Sequence, residues 1–225
     1  MKKARKALLT LCAALLLVSM TVGATVAYLT STTDVVKNTF TVGKVEINLD
    51  EAKVDEYGVE VEGADRVKAN NYKVMPGHEY TKDPTVHVKA DSEDSYVRMF
   101  VTITNYPELH EIFTPDEQYF LPQYLVDWDS ANWWSTNAVA VSADGQSATY
   151  EFHYHQIVSA ENFTAENGWF DLEPLFTTIT IPGDVVNENN IGDIADTEIT
   201  IVAQAIQADG FSDSAAAWAA FDTQN

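Results

Sequence analysis

Cysteine is almost missing from this chain of 225 residues: Cys12 stands alone, inside an N-terminal apolar run. Leu11 precedes it and Ala13-Ala14-Leu15-Leu16-Leu17 follow, whereas lipidation takes a cysteine behind a small residue at the end of such a run. Beyond residue 12 the sequence can build no disulfide, thiol nucleophile or thiolate metal site, so the fold must rest on its core. Positive charge is also scarce, with 13 Lys and Arg against 34 Asp and Glu. That imbalance argues against nucleic acid and anionic surfaces as partners. It favours solubility, cation binding and association that responds to salt or pH. No second apolar stretch of spanning length occurs, and repeats, low-complexity tracts and Pro/Ser linkers are lacking.

What is present begins with a three-part N-terminus. Met1 to Lys6 carries four positive charges, an uncharged Leu/Ala-rich run extends to about Met20, and the small-residue stretch TVGATVA closes at Ala27. Basic, apolar, then small is the order of a secretory signal. A signal peptidase holds its substrate extended and accepts small side chains three residues before the cut and immediately before it. Thr25 and Ala27 fit those positions, which places the cut before Tyr28, with Ala24 as the alternative. An uncleaved anchor is the rival reading, because uncharged sequence runs from Ala7 to Thr33. Removal of residues 1–27 leaves 198 residues, enough for one domain with a real core. It also removes four basic residues and no acids, leaving 9 against 34 and a net charge of −25. The expected product is secreted, with no membrane association after cleavage.

The mature part reads as β. Val45, Ile47 and Leu49 alternate with polar neighbours; so do Val97, Met99, Val101 and Ile103, then Tyr150, Phe152 and Tyr154. Leu175, Thr177, Ile179 and Ile181 repeat the pattern, as do Ile199, Ile201, Ala203 and Ala205. Period two with β-branched and aromatic residues predicts half-buried strands, and Thr85–Lys89 and Ala138–Val141 add shorter ones. Pro76-Gly77, Asp144-Gly145, Pro182-Gly183-Asp184 and Asp209-Gly210 supply turns, the second as a hairpin. Helical signals are confined to Ser212–Phe221, Pro107–Phe113 and Asp116–Leu125. The acidic stretch Asp50–Asp65 reads as an insertion or mobile loop. The fold class is all-β, a sandwich or jelly roll with a few short helices, one near the C-terminus.

Chemical motifs are thin. His78-Glu79 and His110-Glu111 lack the second histidine of a His-Glu-x-x-His zinc site. His153 and His155, two apart on a strand, share one face and could form half a metal site; the alternative is a polar sheet face. His87 is expected at a strand surface. No Gly-x-Ser-x-Gly elbow or phosphate-cradling glycine loop occurs. Trp128–Trp134 (WDSANWW) could stack on sugars. Asp184–Asp196 is rich in oxygen ligands suited to Ca²⁺ but lacks EF-hand spacing, so no cofactor is expected with Ca²⁺ as the one candidate.

Four stretches, ATVAYLTST at 24–32, NTFTVGKVEINLDE at 38–51, VMPGHEYTKDPTVHV at 74–88 and AIQADGFSDSAAAWAAF at 205–221, resemble the exported TasA/camelysin-like proteins of Gram-positive bacteria, whose precursors are cut by a SipW-type signal peptidase. The resemblance implies a jelly-roll β-sandwich at the cell surface or in the extracellular matrix and, as in TasA, assembly into biofilm fibres. There the residues after the cleavage site add as a strand to the next subunit; here those would be Tyr28 to Phe40, with Val35, Val36 and Phe40 as the apolar contacts. The domain layout is thus a signal peptide (1–27), a candidate donor strand (28–40) and a β-sandwich (41–225). The implied partners are the signal peptidase during export, then further copies or related matrix subunits. Camelysin's assignment as a metallopeptidase does not carry over, because no metallopeptidase motif stands in this chain. An exported metal-dependent hydrolase and a sugar-binding surface module remain the rival functions.

Overall fold

The computed structural model describes residues 43–113 and 126–224. The cleavage residues Thr25, Ala27 and Tyr28, the donor-strand residues Val35, Val36 and Phe40, and the helix expected over 116–125 lie outside the described residues.

The described strands are β1 (Ile47–Asp50), β2 (His78–Thr81), β3 (Thr85–Lys89), β4 (Ser95–Thr104), β5 (Trp133–Val141), β6 (Ser147–Tyr154), β7 (Trp169–Asp171), β8 (Thr178–Ile181) and β9 (Ile199–Gln207). The α-helices are α1 (Tyr106–Phe113) and α2 (Ser214–Gln224), and Ile191–Ile194 forms a short 3-10 helix. Pairing is antiparallel throughout, in a four-stranded sheet ordered β5-β6-β4-β9, a three-stranded sheet β1-β3-β7 and a ribbon β2-β8. The all-β sandwich expected from the periodicity is the observed architecture.

β4 organises the core. Val97, Met99, Val101 and Ile103 on its inner face are each at most 3% exposed. They pack with Tyr150 and Phe152 of β6, Val86 and Val88 of β3 and Phe170 of β7 in one cluster. Each such side chain contributes roughly 1.5–3 kcal/mol by leaving water. Asp144-Gly145 forms the β5–β6 turn: Asp144 Oδ1 accepts the Ser142 hydroxyl (2.6 Å) and the Gln146 N–H (3.1 Å), and Gly145 takes φ +74°. Asp213 caps α2, accepting the Ala216 N–H at 2.8 Å.

Four expectations need correction. The Asp50–Asp65 stretch is not a loose insertion. Asp55 Oδ1 accepts the N–H groups of Tyr57 and Val59, both at 2.9 Å, and Val54 bridges Glu60. Ala52 and Val54 are buried, and Arg66 ties the stretch to Asp50 and Asp83. The strand read from Leu175 begins only at Thr178. Leu175 and Phe176 are both buried, which one face of a strand cannot offer to successive residues. Asp127 instead accepts the N–H groups of Thr177 (2.8 Å) and Thr178 (2.7 Å). Burial pushes the Asp127 carboxyl up, but these bonds and the Thr177 hydroxyl outweigh it and hold it below its ordinary value. His78–Thr81, where no strand is expected after the Pro76-Gly77 turn, is strand β2. β5 starts at Trp133 rather than Ala138 and carries a bulge between Ser135 and Val139.

Gly58 shows how tightly the acidic hairpin is seated. Its φ is +76°, and a Cβ there would lie 2.7 Å from the Tyr80 Cα. Gly58→Ala is expected to cost about 2–4 kcal/mol from left-handed backbone strain plus a backbone clash. Urea unfolding measures this; a cost under about 0.5 kcal/mol would mean the hairpin lifts away freely.

Candidate functional site

The histidine pair does not form. β6 ends at Tyr154, so His155 turns into the following bend, exposed, its N–H on the Asn132 carbonyl at 2.8 Å. His153 is buried beneath α2 and Trp134, at 7% exposure. The sheet face that carries His153 is polar, with Arg98 and Gln204 beside it, and α2 covers it. Among the described residues no three His, Cys, Asp or Glu side chains gather in a way that could hold a metal. In the Asp184–Asp196 stretch the amides serve their own loop: Asn190 Oδ1 accepts the Asn187 N–H (2.8 Å) and Asn187 Oδ1 the Asn189 N–H (2.9 Å). Of the three tryptophans in the 128–134 stretch, Trp133 is fully buried with its indole N–H on the Glu173 carbonyl (2.9 Å). Trp128 packs on Phe152, and Trp134 is 39% exposed with the His153 ring stacked against it.

Sequence reasoning missed a cluster on the other sheet. His87 on β3 has Nε2 2.9 Å from Asp50 Oδ1 of β1 and Nδ1 2.7 Å from Asp171 Oδ1 of β7. The carboxylates lie at opposite edges of the ring, so the three groups do not converge on a common point. They form an electrostatic staple across three strands, extended by Arg66 to Asp50 and Asp83. Burial works to raise the Asp50 carboxyl, but Arg66 and then His87 hold it below its ordinary value. Only the cross-strand register brings these residues together, and no local pattern announces it.

The sheet edges differ in a way that bears on assembly. β7 and the ribbon strands are three or four residues long. β5 is bulged. The outer side of β1 is occupied by Lys68, which bonds Asn48 Oδ1 and the Leu49 carbonyl, and by Arg66, on the Asp50 carbonyl at 3.2 Å. Shortness, bulges and basic side chains are the usual guards against edge pairing. β9 has none of them. It runs nine residues in unbroken register with β4, and no described strand forms a ladder with its other side, although β1 of the three-stranded sheet lies close to it. Ile199, Ile201, Ala203 and Ala205 pack on the core yet stay half-exposed, and Val202 is 49% exposed. At its start, Glu198, Ile199 and Thr200 border a cavity of about 530 Å³, faced by Asn70 and Tyr72, with Ile179 and Ile194 in its lining.

Comparison with known proteins returns no family model, no curated protein and no solved structure that matches this chain.

Proposed function

We propose that this chain is a secreted structural protein of the cell surface or biofilm matrix, a fibre-forming or accessory subunit that assembles by β-strand addition. The free edge of β9 is the acceptor. The donor is Tyr28 to Phe40 of another copy, freed by cleavage after Ala27. The observation that supports this reading is the asymmetry of the edges: the longest regular edge strand among those described is the one left unguarded. The lengths agree. Thirteen extended residues reach about 43 Å, and nine residues of β9 span about 30 Å. Backbone hydrogen bonds along the edge would supply affinity, while Val36 and Phe40, which share one face of an extended strand, cover the half-exposed apolar row and Val35 lies on the opposite face.

A net charge of −25 opposes stacking of subunits, and salt or acid relieves it. The mature protein, with Tyr28 as its first residue by N-terminal sequencing, should be monomeric at neutral pH and low salt. It should form filaments at about pH 5 or with about 1 mM Ca²⁺. A variant starting at Thr41, and one with a folded tag ahead of Tyr28, should remain folded by circular dichroism and stay monomeric. Thr200→Lys with Val202→Lys guards the acceptor edge on exposed positions and should also abolish filaments without loss of fold. Filaments from the Thr41 variant, seen by negative-stain microscopy, would eliminate donation by this segment. Filaments from the double-lysine variant would move the acceptor off β9.

A further inference from the structure

On the outer face of the four-stranded sheet, four side chains stand in one row across all four strands: Trp134 on β5, His153 on β6, Arg98 on β4 and Gln204 on β9. α2 lies over this row. Arg98 is 4% exposed. Its Nε donates to Gln204 Oε1 (2.8 Å), its Nη1 to Glu151 Oε1 (3.0 Å) and Asp222 Oδ2 (3.3 Å), and its Nη2 to Asp222 Oδ1. The Trp218 ring of α2 lies 4.3 Å from the guanidinium carbon and Phe221 5.4 Å, with Phe100 of β4 at 4.8 Å. The helix is held by one boxed cation that takes both its aromatic face and its carboxylate.

His153 sits beside that cation. Its Nε2 lies 3.1 Å from Glu151 Oε1, Trp134 stacks on the ring at 4.4 Å, and Trp218 meets it edge-on at 6.0 Å. Nδ1 is buried and has no hydrogen-bond partner among the described residues. A neutral ring with its proton on Nε2 fits this setting, donating to Glu151. A second proton, on Nδ1, would create a buried N–H with no acceptor and a second cation against Arg98. The charged groups around the ring are Arg98 from β4, Glu151 from β6 and Asp222 from α2; β5 and β9 contribute only Trp134 and Gln204.

We propose that α2 is an acid-released clasp: protonation of His153 at Nδ1 lifts the helix from the outer face of the sheet and uncovers the Trp134–His153–Arg98–Gln204 row. The device is independent of strand addition.

The pH window follows from the environment. Burial, the largest influence, and then Arg98 hold the His153 imidazole below its ordinary value of 6.5, against the pull of Glu151 and Asp222. The open form therefore binds the extra proton more readily. Docking is fully retained above about pH 6.5 and weakens as pH falls below it. Asp222 adds a second window. Its hydrogen bond to Arg98 holds the carboxyl below its ordinary 3.8, so its contribution is retained above that value and lost as pH falls further.

Amide hydrogen exchange on the full mature chain tests this. Between about pH 7.5 and about pH 5.5, after correction for intrinsic rates, α2 amides should lose up to about tenfold protection as the open-state imidazole fills with protons. β4 and β6 amides should hold theirs. His153→Gln keeps a donor for Glu151 and cannot take the proton, so its α2 protection should match at the two pH values. Asp222→Asn should lower protection at both while keeping the step. Unchanged α2 protection in the natural protein, a step that survives His153→Gln, or one that Asp222→Asn erases would each overturn the proposal. If His153→Gln does not fold, an NMR titration of His153 in the natural protein decides. A midpoint below 6.5, with the Trp218 indole N–H shifting alongside, supports the clasp. A midpoint at or above 6.5, or an indole that does not respond, overturns it.

Discussion

Val101→Asp should leave the chain unable to fold, whereas Thr102→Asp, one residue away, should leave it folded. Val101 is 3% exposed at the centre of β4, opposite Tyr150 on one side and Ile201 on the other. Among the described residues the cluster around Val101 is made of apolar and aromatic side chains, so the introduced carboxylate would be unpaired there. The cost is several kcal/mol, set against a whole-domain stability of roughly 5–15 kcal/mol. Thr102 points to the outer face, half-buried, its hydroxyl 2.8 Å from that of Thr149. Its replacement loses one hydrogen bond and leaves water within reach, a cost of about 1–2 kcal/mol. Urea unfolding followed by tryptophan fluorescence separates the two. Equal losses would show that both faces of β4 are equally dry at this point.

The contrast also explains what the sequence could tell. β4, β6 and β9 were legible because each buries one face, so period two survives in their composition. Where burial departs from one face, the pattern misleads. Leu175 and Phe176 are buried side by side because Asp127 holds the following backbone in place of a ladder. β2 is hidden because its partner β8 lies about a hundred residues on, and His78-Glu79 after Pro-Gly has no local strand signal. Its anchor is tertiary: the Tyr80 hydroxyl donates to the Lys73 carbonyl and accepts the Met75 N–H, both at 2.7 Å.

The sites follow the same logic. His153 and His155 obey the strand period only as far as the strand lasts, and it stops at Tyr154. That His153 is covered depends on where α2 docks. The helical signal over Ser212–Phe221 is visible in the sequence, but the surface on which the helix docks is not. The unguarded edge of β9 is also invisible in one dimension, because an edge is defined by which strand fails to pair. What the sequence does carry is the absence of lysine, arginine and proline from Ile199 to Gln207, a gap with meaning only once the strand is known to end a sheet.

Lys82→Met should cost about 3–5 kcal/mol, the usual penalty for stranding one partner of a buried ion pair. Lys82 and Glu51 are 8% and 5% exposed and joined by a salt bridge. Glu51 follows β1 and bridges Val67; Lys82 follows β2, its N–H on the Thr177 carbonyl at 2.9 Å. The pair therefore pins the acidic hairpin region to the ribbon that borders the β9 cavity. With Lys82 gone, Glu51 keeps, among the described residues, only the Asn70 amide, at 3.0 Å, against a full negative charge. Glu51→Gln added to Lys82→Met removes that charge while still accepting from Asn70, and should recover most of the loss. Urea midpoints at about 0.05 M and about 1 M salt provide the check, because a buried pair is screened far less than a surface one. A single-variant loss below about 1 kcal/mol, or one that vanishes in high salt, would place the pair in contact with water through the cavity. A double variant no better than the single would assign the loss to the packing of the lysine stem rather than to the stranded carboxylate.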